Sequence, residues 1–119
     1  MPRAKFQTLT EQMFYILLCL KEECCGMDIM DKVPSLTAGR VVVGSGTLYN
    51  LLEQFQESDM IRLTKAEGRR RSYILTDKGL EAIQTEYQRL QWQLADYQRM
   101  MGLDKEESQE KNAPSLRIV

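Results

Sequence analysis

The 119-residue chain contains no histidine, which removes the usual general base and leaves nothing to complete a mixed zinc site. Its three cysteines, Cys19, Cys24 and Cys25, are odd in number and lack the Cys-x-x-Cys spacing, so neither a disulfide framework nor a structural metal is expected. The adjacent Cys24 and Cys25 have the option of acting as a thiol sensor, but idle thiols in a reducing compartment are the commoner case, and they are read as structural. A glycine-rich phosphate loop of the P-loop form and a nucleophile motif are also missing, so an enzyme is not expected and no cofactor is called for. No apolar run reaches the length of a bilayer span, which removes a membrane role. Met1-Pro2-Arg3-Ala4-Lys5 leads straight into polar residues without the apolar segment of a secretory signal, and a cytoplasmic location is expected.

What is present suffices for one compact core plus an arm or tail. A hydrophobic share of 43% and a charged share of 28% are those of a soluble globular protein. The formal net charge of −1 argues against a nucleic-acid partner by its sum, yet the distribution argues the other way. Arg62, Lys65, Arg69, Arg70 and Arg71 face only Glu67 in their stretch, whereas acidic residues crowd the chain after Thr76.

Helical periodicity appears first from about Leu9 to Glu22, where Met13, Ile16, Leu17 and Leu20 form a stripe that Phe14 and Leu18 widen. Thr8 with Glu11 fits a capping box, and Thr10 is the alternative cap. Gly26 breaks the pattern. A weaker helix follows from about Met27, turning Ile29, Met30 and Val33 inward, and Pro34 either ends it or distorts its last turn. Arg40-Val41-Val42-Val43 is β-branched and bounded by glycines, so a brief strand is expected there. A third helix is predicted from Gly46 or Thr47 to Glu57, with Leu48, Leu51, Leu52 and Phe55 inward and a hydrogen-bonding, uncharged outer face on its first turn. Ile61-Arg62-Leu63 and Tyr73-Ile74-Leu75 read as two strands joined by a turn at Gly68.

This order gives a fold class that is mainly α with a small β-hairpin wing: a winged helix-turn-helix followed by a long C-terminal helix. Physically, the second helix of such a motif presents its first turns to a major groove, and a basic hairpin reaches the neighbouring backbone. The expected organisation is a DNA-binding domain over 1–75, a dimerisation helix over 76–101 and a disordered tail over 102–119.

Three segments of the chain resemble the PadR-like family of transcriptional regulators, and the likeness extends from about Leu9 to Ile83. Gly39 to Tyr49 is similar to that family's approach to its recognition helix. Gly68 to Gly79 is similar to its wing strand running into the C-terminal helix. Cys25-Gly26-Met27-Asp28-Ile29 resembles the start of its second helix, with Cys25 and Met27 where aromatic residues are frequent, and Ser45 stands where proline is often found. The resemblance implies a dimeric winged-helix repressor that often answers to a small molecule.

The last helix argues for a dimer independently. Leu80, Ile83, Tyr87, Leu90, Leu94, Tyr97 and Met101 alternate steps of three and four, a heptad stripe longer than the small body needs for its own core. Part of it is expected to bury itself against a second copy, the alternative being a helix folded wholly onto its own domain.

For DNA the expected contacts are Ser45, Gly46, Thr47, Tyr49 and Asn50 on the third helix, and Arg69, Arg70 and Arg71 on the wing. Asn50 is the base reader of choice because an amide pairs bidentately with adenine. Ser45 and the first-turn amides suit a phosphate. Each has a plainer reading: Tyr49 packs against the strands, and the arginines form a solvated turn. Double-stranded DNA carrying an inverted repeat is the expected partner. A winged helix used for protein or RNA contact is the alternative, since fold does not fix function. Trp92 sits opposite the Leu90/Leu94 seam, among Gln88, Arg89, Asp96 and Arg99. It either packs on the first helix or the Phe6 segment of a partner, or lines a cavity where a planar aromatic effector stacks.

Overall fold

In the computed structural model, which describes residues 8–103, the first helix, α1 (Glu11–Cys19), starts at Thr10 rather than Thr8. The Thr10 hydroxyl accepts from the Met13 amide at 3.2 Å, and the Met13 sulfur accepts from the Thr10 amide at 3.4 Å. A thioether thus fills the place that a Glu or Gln takes in the usual reciprocal cap. Ile16, Leu17 and Leu20 are fully buried. α1 is shorter at both ends than the helix expected from about Leu9 to Glu22.

The chain then forms β1 (Cys24–Cys25) and enters α2 (Gly26–Leu36). Pro34 lies inside α2, so it distorts the last turn without ending it. Thr37 follows as the C-cap, wholly buried, its hydroxyl donating to the Val33 carbonyl at 2.8 Å and accepting from the Val41 amide at 3.1 Å. Ala38 and Gly39 both take positive φ, 52° and 81°, which reverses the chain.

Arg40-Val41-Val42-Val43 is not a strand. The segment has no regular secondary structure and pairs with no strand. Val41 and Val43 point into the core, and Val42 is 63% exposed. Its fixing bonds come from the Thr37 hydroxyl and from the Gln12 side-chain amide, which donates to the Val42 carbonyl at 3.0 Å. β-Branched side chains satisfy such a bonded loop as well as a ladder, which is why the residue pattern misleads. The third strand is β1 instead.

α3 (Ser45–Glu57) buries Leu48, Leu51, Leu52 and Phe55 as its period requires. β2 (Ile61–Glu67) and β3 (Arg70–Leu75) are an antiparallel hairpin with an irregularity between Leu63 and Lys65, turning at Gly68 with φ 61°. The sheet order is β1-β3-β2, with Cys24 opposite Tyr73 and Cys25 opposite Ser72. The last helix, α4 (Asp77–Met100), is capped by Thr76, whose hydroxyl accepts from the Gly79 amide at 3.1 Å and donates to the Asp59 carbonyl at 2.6 Å.

The chain divides into two compact units, Met1–Glu86 and Tyr87–Val119. The first includes the opening turns of α4, from which Ile83 enters the core, and its buried Glu86 carboxylate accepts from the Leu9 amide at 3.1 Å. The second, as far as it is described, is the rest of α4 and the short turn after it. Within it Tyr87, Leu90, Trp92, Leu94, Tyr97 and Met101 are exposed, Trp92 by 63%. The tail expected from residue 102 lies, from residue 104 on, outside the described residues. No described helix is long and apolar enough to cross a membrane. Among the described residues no cluster of carboxylates and thiols could hold a metal.

Candidate nucleic-acid interface

α3 presents its first turn outward because four leucine and phenylalanine positions hold the opposite face in the core. Ser45, Gly46, Thr47, Tyr49 and Asn50 are all exposed. The N-cap is Gly44, which has no side chain to accept from the first-turn amides, so these donors are left for an outside acceptor. A β-carbon at Gly44 or Gly46 would meet nothing within 4 Å, so the backbone there is open to close approach. The buried Val41 and Val43 and the Gln12 bond to Val42 hold the preceding loop in place.

The wing stands beside it. Glu67 pairs across the hairpin with Arg70, and Ala66 with Arg71. Two ties join the wing to the body: Thr64 donates to the Glu23 carboxylate at 2.9 Å, with Lys65 at 3.9 Å from the same group, and nearer the turn Arg70 lies 3.9 Å from Asp28 on α2. These exposed ion pairs contribute little to stability. Arg70 is therefore partly compensated by Asp28. Arg69 and Arg71 have no carboxylate at ion-pair distance among the described residues.

Between α2, α3 and the wing runs a cleft of about 390 Å³, lined among others by Gly26, Met27, Tyr49 and the three arginines. The sequence-predicted contacts Tyr49, Arg69, Arg70 and Arg71 thus meet in one place, while Ser45, Gly46, Thr47 and Asn50 form the exposed surface of α3. Met27, 58% exposed, and Gly26 join the cleft from α2. Neither is marked by the sequence, since a helix-start glycine and a lone methionine have no pattern that points at a distant tyrosine. Tyr73 lies beneath, buried, and burial pushes its phenol above the usual 10.0, opposed by the nearby Arg71 cation and reinforced by Tyr49.

Of the three cysteines, Cys25 lines this cleft and Cys19 and Cys24 do not. Burial pushes the thiols of Cys19 and Cys24 above the usual 9.0, which disfavours the reactive thiolate. Cys24 and Cys25 are both buried as the β1 pair, in keeping with a structural role.

A family model described as the transcriptional regulator PadR-like family matches residues 16–85. No curated protein sequence matches the chain. Among solved structures, a PadR-like transcriptional regulator from Bacillus cereus is similar at TM-score 0.61 and 27% identity, over 74% of this chain and 88% of that one. A PadR-like transcription factor from Bacteroides fragilis is similar at TM-score 0.58 and 29% identity, over 74% of this chain and 86% of that one. A transcriptional regulator from Clostridium thermocellum shares the fold at TM-score 0.60 and 21% identity, over 75% and 87% of the two chains.

Proposed function

The chain belongs to the transcriptional regulator PadR-like family and is a DNA-binding regulator; from that premise we propose that it is a dimeric repressor that reads an inverted repeat and is released by a small molecule. The observation that carries the reading is the exposed first turn of α3, with no side-chain cap, standing next to a wing whose Arg69 and Arg71 lack carboxylate partners among the described residues. In this reading Ser45, Gly46 and the first-turn amides take a phosphate, and Thr47, Tyr49 and Asn50 face the bases. The wing arginines hold the neighbouring backbone.

Dimerisation is assigned to α4 from its exposed stripe: Leu80 at 43%, Tyr87 at 57%, Leu90 at 41%, Leu94 at 57%, Tyr97 at 57% and Met101 at 60%. Ile83 is left out, because it packs into the core of its own unit. A row of exposed tyrosines and leucines at heptad spacing is the pattern of a helix awaiting a second copy. Trp92 is equally open in the single chain, and we assign it to stacking on a planar aromatic effector between the two copies. Such a ligand should quench its fluorescence and weaken DNA binding, and DNA should weaken the ligand by the same factor.

The direct test is a gel shift at defined salt with the region upstream of the protein's own gene. A retarded complex that survives excess random DNA supports the reading. A complex formed only with protein or RNA partners favours the use of the winged helix for those contacts instead.

A further inference from the structure

Gly26 opens α2 and is buried, yet its φ lies outside the left-handed range, so backbone conformation does not call for glycine. The Tyr49 ring does. A β-carbon at Gly26 would stand 2.8 Å from Tyr49 Cε1, 2.9 Å from the hydroxyl and 3.1 Å from Cζ, well inside van der Waals contact. The far end of the tyrosine of α3 therefore rests on the bare start of α2. The same ring remains 43% exposed and lines the cleft shared with Met27 and the wing arginines.

We propose that Gly26 is a positioning residue for DNA recognition: by leaving room for the Tyr49 ring it holds that ring in the cleft between α3 and the wing arginines, in one orientation toward the duplex. The proposal rests on the reading of α3 as the recognition helix. A side chain with two rotatable torsions that is fixed before binding loses less freedom on association than one that must be ordered there.

The glycine is separable from the fold, because what a methyl group would displace is the far end of a side chain and not backbone. Alanine is moreover the better helix former. Gly26→Ala should therefore leave the thermal midpoint close to that of the parent while pushing the Tyr49 ring aside.

The experiment is a double-mutant cycle read by fluorescence anisotropy with two labelled duplexes, one selected for tight binding to the wild-type chain and one of random sequence, using Gly26→Ala, Tyr49→Ala and the double variant. We expect Gly26→Ala to weaken the selected duplex about tenfold and random DNA less than about twofold. In the Tyr49→Ala background the same glycine change should alter affinity by less than about twofold, since no ring is left to displace. The double variant, which contains no clash, also serves as the folded reference should the single one be unstable. A glycine effect of equal size with and without the Tyr49 ring overturns the proposal alone, as does Gly26→Ala binding like the wild type. A wild-type chain that shows no preference among duplexes overturns the recognition reading and the proposal with it.

Discussion

At the scale of single residues, the proposed function separates charges that would hold from groups that would read. Asn50 is exposed on the outer face of α3, and in that reading its amide distinguishes bases, so Asn50→Ala should reduce the preference for operator over random DNA by about 1–3 kcal/mol. Arg69→Ala and Arg71→Ala should instead weaken both duplexes alike and lower the slope of log affinity against log salt by about 0.9 for each phosphate no longer neutralised. Arg70→Ala should do less, because Asp28 already stands 3.9 Å from its guanidinium. Titrations on both duplexes at several salt concentrations check all three; equal losses from Asn50→Ala on operator and random DNA would reverse the roles.

The buried Cys24 and Tyr73 and the half-buried Cys19 give a second residue-scale expectation. Cys19, Cys24 and Tyr73 are all raised by burial, so their charged forms are disfavoured in the folded chain relative to the unfolded one. The stability they contribute is complete below their ordinary values of 9.0 and 10.0 and is lost as pH rises through the raised ones. The thermal midpoint should show no loss from these groups up to about pH 8.5 and should fall steadily above about pH 9.5. A midpoint unchanged to about pH 10.5 would contradict the burial of these groups.

Among elements, the start of α4 packs closely on Met60, just before β2, and on the end of β3. Gly79 is the third residue of α4, where a β-carbon would collide with the Met60 carbonyl oxygen and stand 2.8 Å from Leu75 Cδ2. Backbone cannot swing aside as a tyrosine ring does. Gly79→Ala should therefore destabilise by about 2–4 kcal/mol despite alanine's better helix propensity, whereas Gly26→Ala should not. Chemical denaturation of the two variants side by side checks the contrast, and equal stabilities would count against it.

The elements also show where sequence was legible. Periodicity located the inner face of α3 because Leu48, Leu51, Leu52 and Phe55 all serve one core. Residue type misled at Arg40–Val43, where β-branched valines bounded by glycines lie in a loop held by Thr37 and Gln12, with no partner strand; periodicity had nothing to say there. It missed β1, since two residues are too short to show a period. In the candidate site, the exposed turn and the wing could be read from residue type and order. The Gly26 contact with Tyr49 could not, because it joins two elements through space and leaves no spacing rule in the chain. Met13 as the reciprocal cap to Thr10 escaped for a different reason: a thioether is a weak acceptor, rarely counted as one.

For the whole molecule, the second unit's open stripe sets the expected assembly. Leu90 and Leu94 lie beyond the first unit's core, so Leu90→Glu with Leu94→Glu should leave the winged unit folded and shift the protein from dimer to monomer in light scattering at micromolar concentration. A monodisperse wild-type monomer would contradict the assignment of α4. A two-fold dimer carries two recognition helices, so its DNA site must show the same symmetry, with half-sites about one helical turn or a multiple apart. Selection from a random duplex pool by the full-length wild-type protein, followed by sequencing, tests this most directly. The account predicts enrichment of an inverted repeat with fixed half-site spacing; a pool without enrichment, or one dominated by a single asymmetric half-site, would contradict it.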